Sequence, residues 1–139
     1  MTTTNNTVRF QTPAWADPEL TQIEHEEGEP DAVRFAASID GVEFNQWCDE
    51  KEGELTVTDG PYVTTHRLPD LDDLPMSEVA QLGATLIRIS QYVALAEGTA
   101  TEIGALKLSD VSRIARRQNT TATALIRAVG RRGAEQVAS

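Results

Sequence analysis

The sequence predicts an α+β protein: a small antiparallel β meander packed by one long helix, followed by a C-terminal helical hairpin. Three observations carry this. Between residues 33 and 68 apolar and polar side chains alternate, broken by Asp-Gly and similar pairs, which is the period-two pattern of half-buried strands. From Ser77 to Glu97 apolar residues recur three and four apart, one stripe of a helix. From Ser109 onward two shorter helical patterns flank a polar break.

The elements follow in order. Val8 and Phe10 alternate with Arg9 and Gln11, a short edge strand. Pro13, Trp15 and Pro18 make a turn-rich connection, in which Trp15 is expected to cover one end of the sheet, given the area an aromatic buries. Glu24 to Asp31 reads as a solvated acidic loop. Val33, Phe35, Ala37 and Ile39 form one strand, Val42, Phe44 and Gln46 the next. Asp40-Gly41 between them is a strong hairpin signal, because a type I′ turn needs positive φ at both central positions. Residues 49–53 then read as a polar turn, Leu55 to Thr58 as a third strand, Asp59-Gly60-Pro61 as another turn, and Tyr62 to Leu68 as a fourth strand.

Residues 68–76 form an extended connector bracketed by Pro69 and Pro75. In the long helix Val79, Leu82, Leu86, Ile89, Val93 and Ala96 make the stripe, with Glu78, Gln81, Thr85, Arg88 and Gln91 opposite. Ser77 is the expected N-cap and Gly98 the expected left-handed terminator. The stripe can also serve a homodimer, but the sheet needs the same face, so packing within the chain is the expectation. The organisation expected is an acidic α+β domain over 1–97, a linker over 98–108 and a helical hairpin over 109–139. In the hairpin Ser109 caps one helix, with Val111, Ile114 and Ala115 apolar. Thr120 or Thr121 caps the other, with Ala122, Leu125, Ile126 and Val129 apolar and Gly130 and Gly133 loosening its end.

Charge narrows the partners. The net charge is −10. Residues 1–97 hold 19 acidic and 5 basic side chains, and residues 98–139 hold 3 and 7. The acidic part repels nucleic acid and anionic membrane surfaces, whereas the basic tail is drawn to them. There is no apolar run of ~18 residues to span a membrane, and no basic-then-apolar leader pattern, so the expected compartment is the cytoplasm. The lone Cys48 fits that compartment.

Enzyme chemistry finds no support. The carboxylates are many, but a catalytic pair must converge in unlike environments. There is no nucleophile elbow and no Gly-rich phosphate loop. Cys48 lies next to Asp49 and Glu50, which disfavour its thiolate. His25, His66 and Cys48 do not have the paired spacing of a zinc site, so neither metal nor cofactor is expected.

The most informative stretch is Val111 to Val129, VSRIARRQNTTATALIRAV. It resembles a bacterial helix-turn-helix. Ala115 stands where that motif needs a small residue at the helix crossing, Asn119 where the turn needs left-handed backbone, and Leu125 where the second helix packs back on the first. Gln118 and Thr120 stand at positions usually apolar. The resemblance implies that Thr121, Thr123 and Arg127 face the major groove, and that Arg113, Arg116, Arg117, Arg131 and Arg132 approach phosphates. A weaker resemblance covers 13–97: the order Pro13-x-Trp15, His25, strands and helix is similar to a set of short actinobacterial and phage proteins. Those carry Cys directly after the Trp, where this chain has Ala16.

The function expected is therefore a small non-enzymatic regulatory protein that binds DNA through the C-terminal hairpin. The competing reading is an acidic protein–protein interaction module, of phage or actinobacterial type, that binds and modulates a protein partner. Charge mimicry of DNA would need a continuous face of carboxylates, and the acidic runs at 24–31, 49–54 and 70–73 fall in loops.

Overall fold

The computed structural model describes residues 11–65 and 68–138. It is an α+β protein with a four-stranded antiparallel sheet and three helices. The strands are β1 (Gln22–Glu24), β2 (Asp31–Ile39), β3 (Val42–Lys51) and β4 (Glu54–Val63), paired in chain order. The helices are α1 (Met76–Glu97), α2 (Leu108–Arg117) and α3 (Ala122–Ala138). The chain forms two compact units, Met1–Pro69 and Asp70–Ser139.

In the sheet unit the hairpin signal at Asp40-Gly41 is realised: φ is 48° and 79°, and Ile39 lies opposite Val42. Glu52-Gly53, at φ 55° and 85°, turns β3 into β4 in the same way. This turn is tighter than the one expected over 49–53, because β3 continues to Lys51 and buries Glu50 on the inner face with Cys48. The expected turn at 59–61 is also absorbed. β4 runs through it as one strand with a bulge, Trp47 facing Asp59 and Asn45 facing Tyr62. Gly60 makes this fit: its φ is 91°, and a Cβ there would stand 2.8 Å from the Asn45 carbonyl oxygen. β4 then ends at Val63 rather than continuing to Leu68, and the Thr64 amide donates to the Glu43 carbonyl at 2.8 Å.

β1 pairs with β2 over residues for which no strand was expected, overlapping the expected acidic loop only at Glu24; three residues are too few to show a period. The edge strand expected at Val8 and Phe10, and His66, lie outside the described residues. The core gathers Val33, Phe35, Ala37, Ile39, Val42, Phe44 and Cys48, all buried. Trp15 is buried as expected, its ring centroid 5.5 Å from that of Phe44. Burial pushes the Cys48 thiol up, and the Asp49 charge adds to this.

The second unit corrects the expected organisation. α1 belongs with α2 and α3 rather than with the sheet, and the division falls at Pro69 rather than Glu97. The reason lies in which face it buries. Thr85, Ile89, Tyr92, Val93 and Leu95 are buried, so Thr85 sits inside rather than opposite the stripe, and Arg88 and Gln91 have partners in the same unit. Gly98 ends α1 in the left-handed region at φ 78°, as expected. Ser77 does not cap its start; the Pro75 carbonyl accepts from the Glu78 and Val79 amides at 2.9 and 3.0 Å.

Candidate nucleic-acid interface

The candidate interface comprises α2, its turn and α3. α2 begins at Leu108, with Lys107 rather than Ser109 as N-cap. The Asp110 carboxylate turns back to accept the Lys107 amide at 2.8 Å, so the cap comes from the third helical residue and not from a serine hydroxyl. Asp110 is fully buried. Arg88 of α1 grips it twice, Nε to Oδ2 at 2.9 Å and Nη2 to Oδ1 at 2.8 Å. Burial alone would push the Asp110 carboxyl up. The hydrogen bonds from Arg88 and the Lys107 amide, with the charges of Arg88 and Arg113, outweigh it and hold the carboxyl below its ordinary range.

The turn follows the expected geometry. Val111, Ile114 and Ala115 are buried, and Asn119 adopts φ 57°. The Thr120 amide donates to the Ala115 carbonyl at 2.9 Å, closing α2. Gln118, at a position where the resemblance wants an apolar residue, instead donates its side-chain amide to the Ala96 carbonyl at 2.8 Å. Of the two candidate caps for α3, Thr121 serves: its hydroxyl accepts from the Ala124 amide at 3.1 Å.

α3 turns Ala122, Leu125, Ala128, Val129, Arg132 and Gly133 inward, with Val129 buried and the others half-buried. It runs unbroken through both glycines to Ala138. Gly133 does not loosen it. A Cβ there would stand 2.9 Å from the Thr101 carbonyl oxygen, so glycine lets α3 lie against the 98–107 segment. That segment is no linker. Ala100 is buried, its carbonyl accepts from Arg132 Nη1 at 2.6 Å, and Gln91 Oε1 accepts the Ala105 amide at 2.8 Å.

The candidate contact residues therefore divide. Arg132 is spent on the Ala100 carbonyl. Arg113 lies over the Tyr92 ring at 5.9 Å from its centroid, with Asp110 Oδ1 at 3.9 Å. Arg116, Arg117, Thr121, Thr123, Arg127 and Arg131 are exposed. Among the described residues no ion pair engages Arg116, Arg127 or Arg131. Spacings of four put Thr123, Arg127 and Arg131 along one outward face of α3, with Gly130 and Ala134 keeping that face low. Sequence reasoning missed Arg88, Tyr92 and Gln91 as organisers of this unit; a charge within a helical stripe of otherwise buried neighbours is the only signal that could have flagged Arg88.

No cluster of three His, Cys, Asp or Glu side chains that could hold a metal ion occurs among the described residues. No described helix is long and apolar enough to cross a membrane. Comparison with protein-family models, curated proteins and solved structures finds no match to this chain.

Proposed function

We propose that this chain is a small non-enzymatic regulatory protein of the cytoplasm that binds duplex DNA through α2 and α3. The observation that carries the reading is the outward face of α3. It presents Thr123, Arg127 and Arg131 to solvent on a helix whose other side is held by its own unit. Arg127 and Thr123 sit where a groove-reading helix needs donors, and Arg116, Arg117 and Arg131 supply phosphate contacts. Arg113 and Arg132 serve the scaffold instead. The rigid left-handed turn at Asn119 supports the same reading, since it fixes α3 against α2.

Charge placement bears on how strong the binding is. Residues 70–139 carry eight acidic and eight basic side chains and balance, whereas residues 1–69 carry fourteen and four. The sheet unit therefore repels the duplex, and non-specific affinity is low at physiological salt. The experiment is a selection of preferred duplexes from a random pool with the full chain, followed by Arg127→Ala on the selected site. A base-reading Arg127 costs about 1–3 kcal/mol when removed. An unchanged affinity takes Arg127 out of the readout. The same charge segregation favours a second reading, in which the acidic sheet unit docks on a basic protein. A pool that yields no enriched duplex leaves that reading standing.

A further inference from the structure

The face of the sheet opposite its core carries a groove of about 360 Å³. That lies within the ~300–1,000 Å³ of small-molecule sites. β2 supplies the floor, where Arg34, Ala36 and Ser38 alternate with the core residues of the same strand. Glu43 of β3 closes one side. Glu19, in the short 3₁₀ turn Pro18–Leu20, and Thr21 just after it close the other.

Three groups in this groove have bonding capacity left over. The Arg34 side chain is only 17% exposed, and among the described residues its guanidinium donates to Glu43 alone. A guanidinium has five N–H donors, so most of them are unengaged. The Glu19 carboxylate, on the exposed rim, has no hydrogen bond or ion pair to a described residue. Thr21 has a buried hydroxyl without a hydrogen-bond partner among the described residues, and a buried polar atom left so calls for an explanation.

Charge narrows what the groove can take. Glu19, Arg34 and Glu43 sum to −1, inside a unit whose residues 1–69 hold fourteen acidic and four basic side chains. That field repels a simple anion, and the guanidinium at the floor repels a simple cation. A molecule that carries an acceptor for Arg34 and an excess of positive charge satisfies both.

We propose that the groove binds a free basic α-amino acid, its carboxylate on Arg34 and its side-chain cation on Glu19. Carboxylate and guanidinium are matched planar groups that pair through two parallel hydrogen bonds. The α-ammonium lies beside the Glu43 carboxylate. Leu20, 41% exposed in the same wall, covers the methylene stem. One rotamer step turns the Thr21 hydroxyl to the ligand and gives it the partner it lacks. The ligand's single net positive charge offsets that of the groove. This site does not depend on the DNA-binding reading, and it stands or falls separately.

The test is a titration of the nitrogen-15-labelled full chain with L-arginine at physiological salt, followed through its amide resonances. Saturable shifts are expected at Thr21, Gln22, Ala36 and Ser38, with a dissociation constant on the order of 1 mM or tighter. Agmatine, which lacks the carboxylate, and L-citrulline, which lacks the side-chain charge, should each bind at least tenfold more weakly. In Glu19→Gln the preference for arginine over citrulline should disappear. Ser38→Trp should fill the groove and abolish binding. Both substituted side chains are exposed, so the remaining resonances should keep their positions. The absence of saturable shifts up to roughly 20 mM overturns the proposal. So do shifts confined to the acidic runs at 24–31 and 70–73, which mark diffuse ionic attraction. Equal binding of arginine and citrulline, or a preference that survives Glu19→Gln, overturns it as well.

Discussion

Arg88 and Asp110 form a two-pronged ion pair across 22 residues of sequence, with the Asp110 side chain fully buried and that of Arg88 13% exposed. It joins α1 to the start of α2, and the same carboxylate caps α2 through the Lys107 amide. Removing Arg88 leaves a buried charge without its main partner, which typically costs about 3–5 kcal/mol. Arg88→Ala should therefore unfold the helical unit at lower denaturant. The three α-helices lie in that unit and both tryptophans lie in the other. Circular dichroism at the helical band reports the loss, and tryptophan fluorescence reports the sheet unit.

The pair also sets an acid limit. The folded Asp110 carboxyl titrates below its ordinary value. A lowered folded pKa contributes stability that is present above the unfolded value and is lost as pH falls through the folded one. The helical transition should hold from neutral pH down to the ordinary carboxylate range and weaken below it. In Asp110→Asn that share of the acid dependence should vanish, leaving a lower and flatter curve. A variant with the wild-type pH slope would show that other carboxylates carry the effect.

Two glycines of α3 should respond in opposite directions. Gly133→Ala drives a Cβ toward the Thr101 carbonyl oxygen and should destabilise the unit by about 1–2 kcal/mol, as overpacking does. Gly130 is exposed with nothing near it, so Gly130→Ala should gain about 0.5–1 kcal/mol from helix propensity alone. Thermal melts of the two variants side by side check this, and equal shifts would deny the close approach at Gly133.

Gly60 makes the matching test in the sheet unit. Its positive φ and its approach to the Asn45 carbonyl both exclude a side chain. Gly60→Ala should cost about 2 kcal/mol or more, combining left-handed strain with a clash. The loss should appear in tryptophan fluorescence, through Trp15 and Trp47. A loss seen only in the helical signal would contradict the division of the chain at Pro69.

Local chemistry made part of this structure legible in advance. Asp40-Gly41 can only be a tight turn of positive φ, and Asn119 suits a left-handed helix end, so both were readable from single residues. The alternation over 33–48 named the sheet core for the same reason. What failed were features decided at a distance. The stripe of α1 is amphipathic in two directions, and the sequence period does not say which side finds a partner. Residues 98–108 have a linker's composition, yet Gln91 and Arg132, outside the segment, hold it in place. Asp59-Gly60-Pro61 looks like a turn, and the register of β3 makes it a bulge. In the candidate interface, exposure separated Arg127 and Arg131 from Arg113 and Arg132, which residue type alone could not do.

Contact between the outward face of α3 and DNA is read by fluorescence anisotropy of a mixed-sequence duplex, titrated with the full chain and with the Arg127→Ala/Arg131→Ala chain, from low to physiological salt. The unaltered chain should bind, and its affinity should weaken steeply with salt. The double variant should lose at least tenfold in affinity, and its slope of log affinity against log salt should be shallower by about one, for the phosphate contact of Arg131. Equal binding by the two chains, or none by the unaltered chain at low salt, would contradict that contact.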